Sequence, residues 1–336
     1  MPDTILVTGG AGYVGSHVVV ELARAGYAVV VLDNFANSAP AVVPRLAALT
    51  ETAIPCVEAD VRDTDALRRA FHDHPINGVV HCAGLKAVGE SELRPLTYYG
   101  VNVAGTLALA EVMGEAGVAT LVYSSSATVY GQPERLPVTE DAPLAPQNVY
   151  GRTKRVVEDF LRDLARANPN WRIAILRYFN PAGAHPSGRI GEAPTGRPNN
   201  LVPLLSRIAA GEFSDLSIFG TDWPTPDGTG IRDYLHVQDL ALGHVAAFAH
   251  LAQNPGAVTL NLGLGRGHSV LDVVAAFERA CGRRITRTLA PRRAGDVACC
   301  YADPTRAEVL LRWRATRGLD AICADAWRWQ QSGGRY

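Results

Sequence analysis

Tyr150 and Lys154 stand four residues apart in the run Tyr150-Gly-Arg-Thr-Lys154, the spacing that sets two side chains on one helix face. A phenol works as a general base only when ionised. Its ordinary pKa is about 10, so half-ionisation at neutral pH requires about 4 kcal/mol of stabilisation. One cation about 4 Å away contributes roughly that at an effective dielectric near 20, and Lys154 is placed to be that cation. Ser124, Ser125 and Ser126 close an apolar run upstream. Ser126 can hydrogen-bond the substrate oxygen that Tyr150 deprotonates, while Ser124 and Ser125 read equally well as strand-end caps. Alone, a Tyr-x-x-x-Lys spacing is common and mostly decorative, so its meaning depends on what the chain builds around it.

A second motif lies near the N-terminus. Gly9, Gly12 and Gly15 fall in Thr8-Gly-Gly-Ala-Gly-Tyr-Val-Gly15, after a β-branched run and before a helical pattern. Glycines there permit a tight turn, close approach of a pyrophosphate to backbone, and close helix–sheet packing. The helix N-terminus offers free N–H groups to the phosphates. Asp33 ends the next apolar run, where a carboxylate accepts hydrogen bonds from ribose hydroxyls. Its charge repels a 2′-phosphate and no arginine lies between it and Arg45, so NAD is expected over NADP.

These groups need a sheet to hold them. Residues 4–8, 28–33, 54–58, 78–82, 121–125 and 172–178 read as short strands, with helical patterns between them. In 14–25, Val14, Val18, Leu22 and Ala25 share a face and Gly26 supplies the stop. Residues 150–168 read as a long helix ended by Pro169. The alternation predicts an α/β fold, a doubly wound parallel Rossmann sheet with a smaller α/β substrate-binding domain. The division is expected at 1–180 for the NAD-binding domain, with a return segment at about 232–262, and at 181–336 for the second domain. Pro, Gly and Asn gather in 181–200 and again in 220–230, which suggests a boundary or active-site loops. Further helices are expected at 237–251, 269–280, 304–311 and 319–330, and a strand at 258–262.

Bulk composition narrows the classes. The 336 residues are 47% hydrophobic and 19% charged, with a net charge of −1 and the signs interspersed, so nothing suggests nucleic acid. The six cysteines form no C-x-x-C pair and the histidines show no H-E-x-x-H spacing, so no metal is expected. No apolar run reaches membrane-spanning length, and the N-terminus enters a strand without a basic leader. A cytoplasmic location with reduced thiols is expected.

The glycine spacing is G-x-x-G-x-x-G, and here the chain resembles the extended short-chain dehydrogenase/reductase family. Further runs resemble the UDP-glucose 4-epimerase branch of that family: 33–38, 83–91, Ser124-Ser-Ser-Ala-Thr-Val-Tyr-Gly131, Leu176-Arg-Tyr-Phe-Asn-Pro181, 183–188, 198–201, Asp227-Gly-Thr-Gly-Ile-Arg-Asp-Tyr234 and 290–296. The resemblance implies an isomerase. Tyr150 takes the proton of the sugar 4-hydroxyl while C4 gives a hydride to bound NAD. The hydride then returns to the opposite face of the 4-keto sugar, so that UDP-galactose and UDP-glucose interconvert and NAD stays bound. It also implies cofactor contacts at Tyr13, Val14, Asp60, Val61, Lys86 and Phe179. The matching runs add Asn34, Asn37, Ser38, Cys82, Ala83 and Gly84. Asn102 reads either as a cofactor contact or as helix packing. A homodimer through long helices near 95–114 and 150–168 is implied as well.

On the substrate side, arginine forks suit the two phosphates of a UDP-sugar, and Arg232 and Arg293 lie in loop-like segments. Asn180 and Asn200 suit hydroxyl or diphosphate oxygens, and Asp296 suits the uridine ribose. By resemblance, Ser217, Ile218 and Phe219 lie along the uracil ring, with Lys86, Tyr178 and Leu201 in the same site. For Phe219, core packing is an equal reading. Cys300 stands where the family carries either a bulky tyrosine or a small residue beside the sugar 2-position. A small side chain leaves room for an N-acetyl group, so turnover of UDP-GlcNAc and UDP-GalNAc is expected too. Cys299 reads as packing. Ala127 and Thr128 stand where nucleotide-sugar dehydratases of the same fold carry an Asp-Glu pair, which argues against elimination chemistry. A non-enzymatic dinucleotide sensor would need neither Tyr150 nor Lys154.

Overall fold

The computed structural model describes residues 2–194, 196–293 and 295–336. Six strands, β1 (Thr4–Thr8), β2 (Ala28–Asp33), β3 (Cys56–Glu58), β4 (Ile76–His81), β5 (Thr120–Ser124) and β6 (Arg172–Tyr178), join Gly256–Leu262 in one seven-stranded sheet. Its order is Gly256–Leu262, β6, β5, β4, β1, β2, β3, and every pairing is parallel. The order reverses between β1 and β4, which opens a crevice at the carboxyl ends of those two strands.

Alternation along the strands explains how both faces are buried. Ile5, Val7, Val29, Val31 and Val80 enter one core, while Leu6, Val30, Leu32 and Val79 enter the other. The helix Tyr13–Arg24 covers the first core with Val18, Val19 and Leu22. The helix Val149–Ala167 covers the second with Val157 and Leu161. Each such side chain contributes about 1.5–3 kcal/mol on burial, which anchors the helix while its adjoining face carries polar groups.

Two expectations need correction. The strand expected over 54–58 narrows to Cys56–Glu58 because Pro55 has no N–H to extend the ladder; its carbonyl still accepts from Val31 N at 2.9 Å. The helix expected over 95–114 is split into Pro95–Tyr98, a wider π turn at Tyr99–Ala104, and Gly105–Glu115. The π turn carries the inward-facing Asn102, the setting in which such turns recur.

Beyond β6 lie three short sheets and a third core. The helices Leu201–Ala209, Val270–Cys281 and Leu319–Gln331 enclose Leu205, Val273, Phe277 and Ile322. Leu216–Phe219 pairs with Arg287–Ala290, and Asn180–Ala182 pairs with Tyr234–His236. Ile231–Arg232 lies between His268–Ser269 and Cys299–Cys300. The helix Leu201–Ala209 follows directly on the segment read as loop. Val237–Leu251 turns back onto the first core, and Gly256–Leu262 completes the large sheet. Among the described residues no helix is long and apolar enough to cross a membrane.

Candidate active site

Asn148 starts the helix Val149–Ala167 by accepting a hydrogen bond from Gly151 N at 2.8 Å. A Cβ at Gly151 would lie 2.9 Å from Thr128 O, so glycine lets this helix close onto the segment after β5. The result buries Tyr150, Lys154 and Ser126 together at the carboxyl end of β5. Lys154 Nζ donates to Ser124 O at 2.7 Å and lies 4.7 Å above the Tyr123 ring, which helps hold a buried cation. It sits 5.9 Å from the centre of the Tyr150 ring.

This geometry corrects the expected electrostatics. Burial pushes the Tyr150 phenol up to about 12, against a smaller downward pull from a Ser126 hydrogen bond. Burial also brings Lys154 down to about 8. With its ammonium turned onto the Ser124 carbonyl, Lys154 does not offset the effect of burial on the phenol.

His244, which sequence reading missed, braces the pair together with Cys82 and Asn102. His244 Nδ1 lies 2.9 Å from Leu240 O and so carries the proton, which leaves Nε2 to accept from Ser124 Oγ at 2.8 Å. Burial lowers His244 to about 4 and keeps it neutral. Cys82 Sγ rests 3.3 Å from the same Ser124 hydroxyl. Asn102 is a clamp: it accepts from Leu85 N at 2.8 Å and donates to Leu85 O and Thr153 Oγ1 at 3.0 Å. Its amide ties the loop after β4 to the catalytic helix, so the packing reading fits it better than a cofactor contact.

The crevice fits a dinucleotide. Gly9 has φ +68°, and a Cβ there would lie 2.7 Å from Ala83 N; a Cβ at Gly15 would lie 2.1 Å from Gly9 O. Only glycine lets these backbones approach. Gly12 begins the helix Tyr13–Arg24 with no side-chain cap, so its first-turn N–H groups, including those of Tyr13 and Val14, remain for a ligand. Asp33 Oδ1 accepts from Phe35 N and Ser38 Oγ at 2.9 Å, and Oδ2 from Ala11 N at 3.0 Å. A carboxylate has about four acceptor positions, which leaves one for a ribose hydroxyl. Asn34 Nδ2 donates to Asp60 at 2.9 Å, and Arg62 holds the Asp60 carboxyl down to about 2. Asn37 is exposed beside them, and Gly84, with φ +159°, faces Asn102. Val61 packs into the second core and Phe179 against Tyr130. No cluster of three metal-ligating side chains occurs among the described residues.

On the far side of the cleft, Arg232 Nη1 reaches only its neighbour's carbonyl, Ile231 O, at 2.9 Å, and Arg293 lies 3.7 Å over the Phe219 ring. Neither is ion-paired among the described residues, whereas Arg207, Arg279, Arg292 and Arg328 are. Ser217 and Phe219 are half-exposed, so core packing is not the role of Phe219. Strand alternation sends the Ile218 side chain into the third core, and Leu201 packs against that core too. Asn180 and Asp296 are exposed, while Tyr178 is half-buried with its phenol pushed well above the ordinary range by burial. Cys300 pairs in register with Arg232 and packs with Val129, Tyr130 and Phe179. Asp233, unforeseen, accepts N–H bonds from Leu264, Gly265 and Ala302 at 2.8, 3.0 and 3.1 Å, and so pins the segments flanking Arg232 and Cys300. Lys86 and Asn200 are brought together on Glu192. Ala127 and Thr128 put no acid beside Ser126; Thr128 Oγ1 donates to Ser126 Oγ at 2.9 Å.

Residues 5–263 match the NAD dependent epimerase/dehydratase family. The UDP-glucose 4-epimerase of Bacillus subtilis is 53% identical over 98% of this chain and 97% of its own. The structure of UDP-glucose-4-epimerase from Stenotrophomonas maltophila, with bound NAD and formylated UDP-arabinopyranose, superposes with a TM-score of 0.97 at 48% identity, covering 98% of each chain. That from Bifidobacterium longum, in complex with NAD+ and UDP, gives 0.95 at 46% identity and 98% coverage of each chain. The chain belongs to the NAD dependent epimerase/dehydratase family, in its UDP-glucose 4-epimerase branch.

Proposed function

We propose that this cleft interconverts UDP-galactose and UDP-glucose at Tyr150, with NAD held along the glycine loop. The observation that carries the reading is a buried phenol gathered with Lys154 and Ser126 at the carboxyl edge of the sheet, beside a crevice that fits a dinucleotide. NAD, when bound, supplies the hydride acceptor for sugar C4 and a positive nicotinamide ring. The chain supplies the rest. Ser126 holds the sugar 4-oxygen, the Tyr150 phenolate receives its proton and becomes the neutral phenol, and the Lys154 ammonium lowers the cost of forming that phenolate beforehand. Burial of all three keeps water from the oxidised sugar. Arg232 and Arg293 hold the diphosphate, Asn180 a sugar or phosphate oxygen, Ser217 and Phe219 the uracil, and Asp296 its ribose. NAD lies on residues 1–180 with 232–262 returning to them, and the UDP-sugar on 181–336. The test is to incubate the purified protein with UDP-galactose without added NAD and follow UDP-glucose. Product is expected; none, with or without NAD, overturns the reading.

The small Cys300 side chain supports turnover of N-acetylated UDP-sugars as well. Cys300→Tyr is expected to abolish UDP-GlcNAc epimerisation and spare UDP-galactose, and an unsubstituted protein inert toward UDP-GlcNAc overturns this extension. Leu93 and Leu96 are 83% and 89% exposed, and Tyr99, Leu107 and Val156 join them on the helices beside the site. That apolar face supports a homodimer. Six free thiols fit a reducing, cytoplasmic location.

A further inference from the structure

Glu192 lies between the two sides of the cleft and has no role in the chemistry above. Its Oε1 accepts from Lys86 Nζ at 2.8 Å and from Asn200 Nδ2 at 2.7 Å. Lys86 comes from the loop after β4, and Asn200 from the start of the helix Leu201–Ala209. A cation and an amide N–H from opposite layers therefore converge on one oxygen. Such a pair of donors binds an oxyanion, and here a carboxylate of the chain itself fills the position. Lys86 is 59% exposed and Glu192 10%, so the donors open to solvent and the carboxylate covers them from within.

The backbone carrying Glu192 is fixed. Gly191 N donates to Tyr336 Oη at 3.0 Å, and Tyr336 Oη donates to Gly191 O at 2.7 Å. Trp329 Nε1 donates to Glu192 O at 3.2 Å, and a Cβ at Gly191 would strike the Trp329 ring at 2.6 Å. The Arg45 guanidinium lies over both aromatic rings. With its backbone held, the carboxylate moves off Lys86 by rotating its own side chain. A cavity of about 410 Å³, lined by Asn37, Gly183, Glu192, Trp329 and Tyr336, gives it space to do so.

We propose that Glu192 is a specificity residue that competes with the substrate: its carboxylate holds the place between Lys86 and Asn200 that an oxyanion of the nucleotide sugar takes, and it rotates away when that anion arrives. This rests on reading the cleft as a UDP-sugar site. A ligand with no oxyanion to exchange leaves the internal pair closed. An anionic one gains Lys86 and Asn200 but must first displace a carboxylate.

The test is calorimetric titration of the purified, dinucleotide-loaded protein with UDP. Glu192→Gln keeps the shape and removes the charge, and Glu192→Ala removes both. An ion pair this exposed on the lysine side is worth up to about 1 kcal/mol, so UDP is expected to bind about two- to fivefold more tightly to both variants. Thermal melting of each variant checks that the fold is kept. Unchanged UDP affinity in both overturns the proposal. Weaker binding also overturns it, since it makes Glu192 a support for its partners and not a competitor. If the unsubstituted protein binds no UDP, the functional reading falls and this proposal with it.

Discussion

Tyr150, Lys154 and Glu158 follow one another at four-residue steps and share one face of the helix Val149–Ala167, yet the two ends of that stripe are bonded in opposite ways. Glu158 is fully buried and takes hydrogen bonds from Ser125 Oγ at 2.6 Å, Arg162 Nη2 at 2.7 Å and Arg177 Nη2 at 2.6 Å. Arg177, equally buried, also donates to Tyr130 Oη and Glu140 O at 3.0 Å. One turn earlier, Lys154 Nζ makes, among the described residues, a single hydrogen bond of the three an ammonium can make. Among the described residues, Ser126 is the one group that pulls the Tyr150 phenol down. Both regions are buried, so exposure does not explain the difference. The saturated end locks β5, β6 and the helix together. The end with unused donors and acceptors leaves bonding for a ligand to complete, as the proposed function requires.

The comparison predicts a clean separation of effects. Tyr150→Phe removes the proton acceptor and no structural bond of consequence. Turnover of UDP-galactose is expected to fall on the order of 10²–10⁴-fold, with the melting temperature unchanged or raised because a buried hydroxyl is gone. A large loss of stability would show that the two ends are not distinct. Glu158→Ala is expected to do the reverse. It leaves Arg177 charged and buried without its main partner, which costs about 3–5 kcal/mol of unfolding free energy. Denaturant titration measures that loss, and turnover per folded molecule should hold. Glu158→Leu combined with Arg177→Met removes both charges and should recover at least half of it.

The third effect depends on pH. Burial places Lys154 near 8. If its ammonium supports proton removal by Tyr150, kcat/KM for UDP-galactose falls above about pH 8, approaching tenfold per pH unit. Lys154→Met should remove that limb along with most of the activity. Stability moves the other way. The unfolded chain keeps its lysine proton up to the ordinary lysine value and the folded chain loses it near 8. Between those values the unfolded state binds more protons, so this group makes folding more favourable as pH rises. Loss of stability across the same window would show that Lys154 is not held by burial.

What the sequence made legible follows from this contrast. The β-branched alternation of β1, β2 and β6, the glycine loop and the Tyr150–Lys154 spacing are local patterns, and each stands where it was read. The braces are not local. Ser124 meets His244 across 120 residues and Lys86 meets Glu192 across 106, and no spacing rule links such partners. The direction of the Tyr150 shift was misread for a related reason. Helical spacing puts Lys154 on the right face, but a carbonyl at the end of β5 decides where its ammonium points. The inward turn of the Ile218 side chain was not legible because the parity of the strand Leu216–Phe219 depends on which face the third core covers. The π turn at Tyr99–Ala104 has no composition cue, since the same residues suit an ordinary helix.

Tyr130 belongs to both regions, and it gives the smallest and most discriminating effect. Its ring packs with Phe179 and Cys300 in the wall of the cleft. Its hydroxyl accepts from Arg177 Nη1 at 3.0 Å and donates to Asn261 Oδ1 at 2.6 Å, inside the saturated network. Tyr130→Phe keeps the wall and cuts the bonds. Arg177 retains Glu158 and Glu140 O, and the buried Asn261 carbonyl loses its donor. An orphaned acceptor of that kind costs about 1–3 kcal/mol, so unfolding free energy should drop by that amount while kcat and KM for UDP-galactose stay within about twofold. A KM that moves with stability would mean that the network sets the shape of the sugar pocket through the Tyr130 ring, and the division between a locking end and a reacting end would then run through this residue instead of around it.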